Sequence, residues 1–107
     1  MTRRAAGVAA IAEFRAEHPE VTAIAGYDDD TALRTLTALR DLGVPVPAEL
    51  AVMGFDDTEY GALATPSLTT VHIDAEAHGR LAARQALGLD LDGLTPAHGE
   101  VIARESA

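Results

Sequence analysis

Cysteine is absent from the 107 residues, which excludes disulfides, thiol chemistry and thiolate metal ligands. Tryptophan is absent too, and aromatics make up only 4% of the chain, so the core must be built from Ala, Leu, Val and Ile. There is no lysine: all 8 Lys-plus-Arg positions are Arg, set against 17 Asp plus Glu, for a formal net charge of −9. Phosphate backbones are bound by clustered positive charge, so this balance argues against a nucleic-acid contact made by this chain itself. No segment approaches the ~20 apolar residues needed to span a bilayer. The apolar stretch after Arg3 and Arg4 is interrupted by Glu13 and Arg15, too soon for a signal-peptide core. A cytoplasmic chain with no membrane contact is the expectation. What is present is 48% hydrophobic residues, enough to bury one small core and unlike the composition of a disordered chain.

Hydrophobic spacing predicts a helix over residues 4–17, with Val8, Ile11 and Phe14 on one side and Pro19 ending it. Thr22–Tyr27 reads as a buried strand that stops at Asp28, Asp29 and Asp30. A second helix runs from Asp30 to Leu42, its stripe made by Ala32, Leu33, Leu36 and Leu39, with Gly43 placed as a C-terminal cap. Val44–Pro47 reads as an extended linker, because each Pro pushes its predecessor out of the helical region. Glu49–Phe55 is the next strand and also ends on carboxylates, Asp56 and Asp57. A loop with Tyr60, Gly61 and Pro66 leads to a strand over Leu68–Ile73, then a helix over 75–88, a loop over Leu89–Gly99 and a last strand over Glu100–Arg104. Helices alternating with apolar strands imply an α/β fold: a mostly parallel sheet with flanking helices.

In open α/β sheets ligands bind outside the carboxyl ends of the strands. Two acidic clusters sit there, with His72 and Ile73 at the end of a third strand. Asp29 and Asp30 read as helix caps, and Asp57 as the cap of a turn starting at Thr58. Asp28 and Asp56, the first carboxylates past their strands, are balanced between structural and ligand-binding roles. His72 reads as a partly exposed strand residue, and His18, His78 and His98 as surface or helix-face residues. Tyr27 and Tyr60 read as packing pieces near the loops, with stacking on a ligand as the functional alternative. Such an edge suits hydroxyl recognition by carboxylates or a divalent cation. Phosphoryl transfer of the response-regulator type needs a strand-end lysine that the chain lacks. No Ser-His-Asp order, phosphate-cradling glycine loop or His pair at metal spacing stands out, so neither an enzyme nor a cofactor is expected.

Six segments, in order, resemble those of the lactose-repressor (LacI/GalR) family of transcriptional regulators. Thr22–Asp29 followed by Ala32 and Leu33 is similar to the family's "TAIFAAND..A.G". Leu39–Pro47 is similar to "LRELGLRVPEDV", and Val52–Asp57 to "VVGFDD". Pro66–Val71 resembles "PPLTTV", Gly79 and Arg80 with Ala82 and Ala83 the "LG..A" helix, and Arg104–Ala107 the closing "RES".

The resemblance implies a periplasmic-binding-protein-like effector domain with two α/β lobes around a cleft. Residues 1–107 would be a single partial domain, the C-terminal lobe plus one crossover helix at about 75–88 that packs on the other lobe. The helix-turn-helix, the hinge helix and most of the first lobe would lie outside it. The implied ligand contacts are Asp56, Asp28, His72 and Ile73. Asp28 stands where the family has Asn, and Ile73 where it often has Gln. Leu33 and Ala64 match parts of the family's dimer interface, and Leu33 also reads as ordinary core. The implied partners are a small polar effector (sugar or nucleoside-like), a second copy of the chain, and DNA only through the helix-turn-helix. The alternatives are a solute-binding fragment for sugar transport, a non-catalytic dimerisation module and a Mg²⁺-dependent acidic site.

Overall fold

Helix capping sets the first element. Thr2 accepts the Ala5 N–H and starts α1 (Arg3–Glu17), which ends at His18, just before Pro19. The computed structural model describes residues 2–91, 93, 95 and 98–107. No residue of α1 is fully buried; Ile11 packs against the core while Phe14 stays 37% exposed. Ion pairs hold the helix down at both ends: Arg4 donates twice to Asp41, at 2.7 Å each, and Arg15 donates to Glu49 at 2.8 Å.

After β1 (Ala23–Ala25), Asp28 caps α2 (Asp29–Asp41) by accepting the Thr31 N–H. Asp29 and Asp30 in the first turn complement the helix dipole. The C-terminus closes through Gly43 at φ 71°, whose N–H bonds Arg40 O while the Val44 N–H bonds Leu39 O. The apolar stripe of α2 lies on β2 (Ala51–Met53), and Ala32, Leu36, Leu39, Val44, Leu50, Val52 and Leu68 form the buried cluster. Val44–Pro47 is not a plain extended linker. It runs into a turn over residues 46–49, where Pro45 O accepts the Glu49 and Leu50 N–H groups.

Tyr60 and Gly61, expected in a loop, lie in a short helix, α3 (Glu59–Leu63). β3 (Thr70–His72), α4 (Ala75–Ala86) and β4 (Glu100–Ile102) follow. Each strand is three residues long, shorter than the apolar runs suggest. β1 and β2 pair in parallel, with Ala23, Ile24 and Ala25 opposite Ala51, Val52 and Met53. A parallel bridge between Met53 and Thr69 joins β2 to β3. β4 turns back antiparallel on β3, Thr70 opposite Ile102 and His72 opposite Glu100. The fold is therefore α/β, with parallel strands β1, β2 and β3 and one antiparallel edge strand.

The β2–β3 seam is short because Ser106 enters it. The Val52 N–H bonds Ser106 O, the Ser106 N–H bonds Ser67 O, and Ser106 Oγ both donates to Val52 O (2.6 Å) and accepts from the Thr69 N–H (2.9 Å). The segment expected to continue the last strand to Arg104 instead leaves it after Ile102 and ends in this wedge. α4 buries only Leu81, although its apolar side also carries Ala residues. The molecule is elongated, 53 × 27 × 26 Å with a radius of gyration of 17.5 Å, against about 13 Å for a compact chain of this length. Part of the expected 89–99 loop, namely Asp92, Leu94, Pro96 and Ala97, lies outside the described residues.

Candidate functional site

Backbone hydrogen bonds bring the carboxyl ends of three strands to one edge. Past β1, the Gly26 N–H bonds Met53 O (2.8 Å) and the Asp29 N–H bonds Phe55 O (2.9 Å). Past β2, the Gly54 N–H bonds Thr69 O (2.8 Å) and the Asp56 N–H bonds Val71 O (2.9 Å). Asp28 is thus one residue from a bond to the end of β2, and Asp56 is bonded to the neighbour of His72. Asp28, Asp56, His72 and Ile73 share this edge, Asp56 and His72 exposed and Asp28 and Ile73 partly covered. Tyr27, expected to pack near the loops, is 89% exposed beside Asp28, because the chain leaves the sheet there and gives its ring no neighbour to cover it. Phe55, which no motif or spacing marks as a site residue, also reaches the surface next to Asp56. Exposed aromatic rings beside carboxylates present an apolar face and acceptors together, a combination that suits a polyol with one apolar face.

The three consecutive aspartates separate into three roles, since successive residues at a helix start point in different directions. Asp28 is the cap, and the Thr31 N–H holds its carboxyl below the usual carboxylate range. Only its Oδ1 takes that bond, which leaves Oδ2 available at the edge. Asp30 lies on the surface and pairs with Arg34 at 3.1 Å. Asp29 is not a cap. It is fully buried, and its carboxylate accepts from the Thr58 N–H (2.7 Å), the Thr58 hydroxyl (3.0 Å) and the Thr70 hydroxyl (2.6 Å). Its space exists because of two glycines: a Cβ on Gly54 would lie 2.2 Å from Asp29 Oδ1, and one on Gly61 3.2 Å from Oδ2. No local pattern in the sequence marks this role, because the Thr partners lie 29 and 41 positions away.

Asp56 and Asp57 both have positive φ, 107° and 54°. Non-glycine residues held there cost of order 1–3 kcal/mol each and persist where the surroundings over-determine them. Asp57 does not cap a turn at Thr58 as expected. Its carboxylate accepts from Arg104 at 2.9 Å and lies 3.2 Å from His72 Nδ1, while its N–H donates to the Thr70 hydroxyl at 3.2 Å. The left-handed backbone turns the Asp57 side chain toward β3 and β4 instead of its own helix. Arg104 also donates to Leu68 O, which ties the strand edge to the segment after β4.

Leu33 and Ala64 belong to a different surface. Both line one groove of about 220 Å³ with Leu36, Thr37, Arg40 and Thr65. Leu33 also packs against the core cluster, so the two readings of this residue coexist. Among the described residues, no three His, Asp or Glu side chains gather as a metal site. No helix among them is long and apolar enough to cross a membrane.

A parallel α/β sheet with polar and aromatic groups gathered past its strand ends is a ligand-binding architecture. Comparison with known proteins gives the class a family. The chain matches the periplasmic binding protein-like domain over residues 1–106. It is 36% identical over 81 residues to the HTH-type transcriptional regulator GalS of Salmonella typhimurium, covering 76% of this chain and 24% of that protein. It is similar to the transcriptional regulator CelR in its cellobiose complex, with TM-score 0.75 and 33% identity over 97% of this chain and 33% of that one. It is also similar to a LacI family transcriptional regulator from Arthrobacter sp. FB24 in complex with lactose, with TM-score 0.67 and 33% identity over 96% of this chain and 39% of that one. The chain belongs to the periplasmic-binding-protein-like domain family, in the form carried by LacI/GalR-type transcriptional regulators. It spans about a quarter of the length of the curated relatives it matches.

Proposed function

We propose that residues 1–107 act as a ligand-sensing part of a cytoplasmic LacI/GalR-type regulator, one lobe of its effector domain, and that Asp28, Asp56, His72 and Ile73 contact a small polar effector. The observation that carries this reading is the backbone ladder that sets Asp28 and Asp56 on one strand edge, beside the exposed Tyr27 ring. The relatives support the chemistry: one solved neighbour holds cellobiose and another lactose. A sugar or nucleoside-like effector would donate its hydroxyls to the two carboxylates. In the intact regulator, effector binding would favour one lobe arrangement over another and so change operator affinity. Specific DNA contact would belong to a helix-turn-helix outside these residues, as the net charge of −9 suggests.

A thermal melt with cellobiose, lactose, galactose, adenosine and Mg²⁺ tests the reading. A ligand bound only by the folded chain raises the midpoint by mass action. A sugar or nucleoside that raises it for the native chain and not for Asp56→Ala is the expected result. A melt blind to every sugar and nucleoside overturns the sensing role, and a rise with Mg²⁺ alone favours the acidic metal site.

The groove shared by Leu33 and Ala64 favours a second, compatible reading, a homodimer through this face. The chain would then serve as a dimerisation module as well as a sensor.

A further inference from the structure

We propose that Asp29 is a positioning residue for the ligand edge: it holds both flanks of the left-handed Asp56–Asp57 turn and thereby sets where the Asp56 carboxylate meets an effector. The effector part of this inference rests on the role proposed above for Asp56.

Asp29 grips the residue before the turn and the residue after it. Its backbone N–H bonds Phe55 O at 2.9 Å, and its Oδ2 accepts both the N–H and the hydroxyl of Thr58 at 2.7 and 3.0 Å. Its Oδ1 accepts the Thr70 hydroxyl at 2.6 Å, and that same hydroxyl accepts the Asp57 N–H at 3.2 Å. Phe55, Asp57 and Thr58 are thus each bonded to Asp29 directly or through one hydroxyl. Asp56 has no bond to Asp29; its N–H goes to Val71 O, and the Asp57 carboxylate has a second tie, to Arg104.

Two further observations separate this arrangement from ordinary helix capping. Asp29 opens α2, yet none of its carboxylate bonds goes to the free N–H groups of that helix; Asp28 serves them instead. The carboxylate is fully buried, and Gly54 and Gly61 leave the room it occupies. Burying a carboxylate is costly unless its oxygens are satisfied, and here every bond that satisfies them also restrains the turn. Asp56 and Asp57, at φ 107° and 54°, hold a costly backbone that these restraints help to fix, together with the Asp56 bond to Val71 O and the Arg104 bond to Asp57.

The test uses the full chain, ¹⁵N-labelled, as wild type, Asp29→Asn and Thr70→Val. The first readout needs no ligand: amide exchange of Thr58 and the backbone couplings that report φ at Asp56 and Asp57. Asp29→Asn is expected to raise Thr58 exchange at least tenfold and to move both couplings, while the β1–β2 amides keep their shifts. Unchanged couplings and exchange in a folded Asp29→Asn chain overturn the proposal. If Asp29→Asn does not fold, Thr70→Val, which keeps the buried shape and removes the hydroxyl between Asp29 Oδ1 and the Asp57 N–H, is expected to raise Asp57 amide exchange and move the Asp57 coupling, and an unchanged Asp57 amide and coupling there overturn the proposal.

The second readout is calorimetric titration with cellobiose and with lactose. Binding is expected to weaken at least tenfold in Asp29→Asn, and the double variant with Asp56→Ala is expected to lose no more than Asp56→Ala alone. Independent, multiplying losses overturn the positioning role, because a residue acting through Asp56 has nothing left to act on once that carboxylate is gone. If the wild type binds neither sugar, the effector reading fails for these ligands, and the coupling and exchange measurements still decide whether Asp29 holds the turn.

Discussion

Gly54 faces the Asp29 carboxylate so closely that a Cβ on it would lie 2.2 Å from Oδ1. The same Cβ would meet Leu68 Cδ2 at 3.0 Å and Asp29 Cα at 3.1 Å, so moving the carboxylate alone does not make room. Gly54→Ala is therefore expected to destabilise the chain by about 1–3 kcal/mol, the usual range for overpacking. Gly61→Ala should cost less, since its tightest contact is 3.2 Å and the next 3.5 Å. Urea unfolding of the two variants checks the order.

Ser106 is fully buried and bridges β2 to the start of β3. Ser106→Ala takes the acceptor from the Thr69 N–H and a donor from Val52 O, both in the interior. Leaving buried polar groups unpaired costs about 1–3 kcal/mol, and urea unfolding should show a loss of that size. Glu105→Ala, one residue away, removes an acceptor for Ser67 that is exposed to solvent and should cost less than Ser106→Ala.

Acid should destabilise the chain through three carboxyls. The Thr31 N–H lowers Asp28, Arg4 lowers Asp41 and the Ser67 N–H lowers Glu105. Each folded value lies below the unfolded one, so the stability each contributes is complete above about pH 5 and is lost as pH falls through the folded value. Asp28→Asn keeps a good helix cap and removes one of these titrations. The melting midpoint at pH 7 should stay in place and the decline below pH 4 should become shallower. An unchanged acid decline would show that the Thr31 bond does not discriminate between the two states.

Leu33 lines the groove with Ala64 and is only partly buried. If this face joins two copies, Leu33→Glu should shift the chain from dimer to monomer in analytical ultracentrifugation while a cooperative melt persists. A wild-type chain that sediments as a monomer at every concentration would rule out the dimer reading.

The helices are legible because their signals are local. Asp28, Gly43 and the Ala32, Leu36, Leu39 spacing lie within one short segment, and α2 starts and stops within a residue of the expected bounds. α3 escapes the sequence pattern because five residues with Gly61 inside and Pro66 close behind carry no full period of hydrophobic repeat. The candidate edge is legible in outline, since β1 and β2 each run into carboxylates and parallel order places such ends together. The direction of β4 is not legible, because a short apolar run reads the same in either sense.

Composition, capping and strand-end chemistry, all written in residues close along the chain, determined an acidic α/β domain with Asp28 and Asp56 past its strands. Tertiary structure alone decided which aspartate turned inward. The Asp29 bonds to Thr58 and Thr70 span 29 and 41 positions. The Ser106 bond to Val52 spans 54, and the Arg104 bond to Asp57 spans 47. Partners that far apart meet only when the sheet assembles, and a carboxylate commits to the interior only once such donors are in place to replace water.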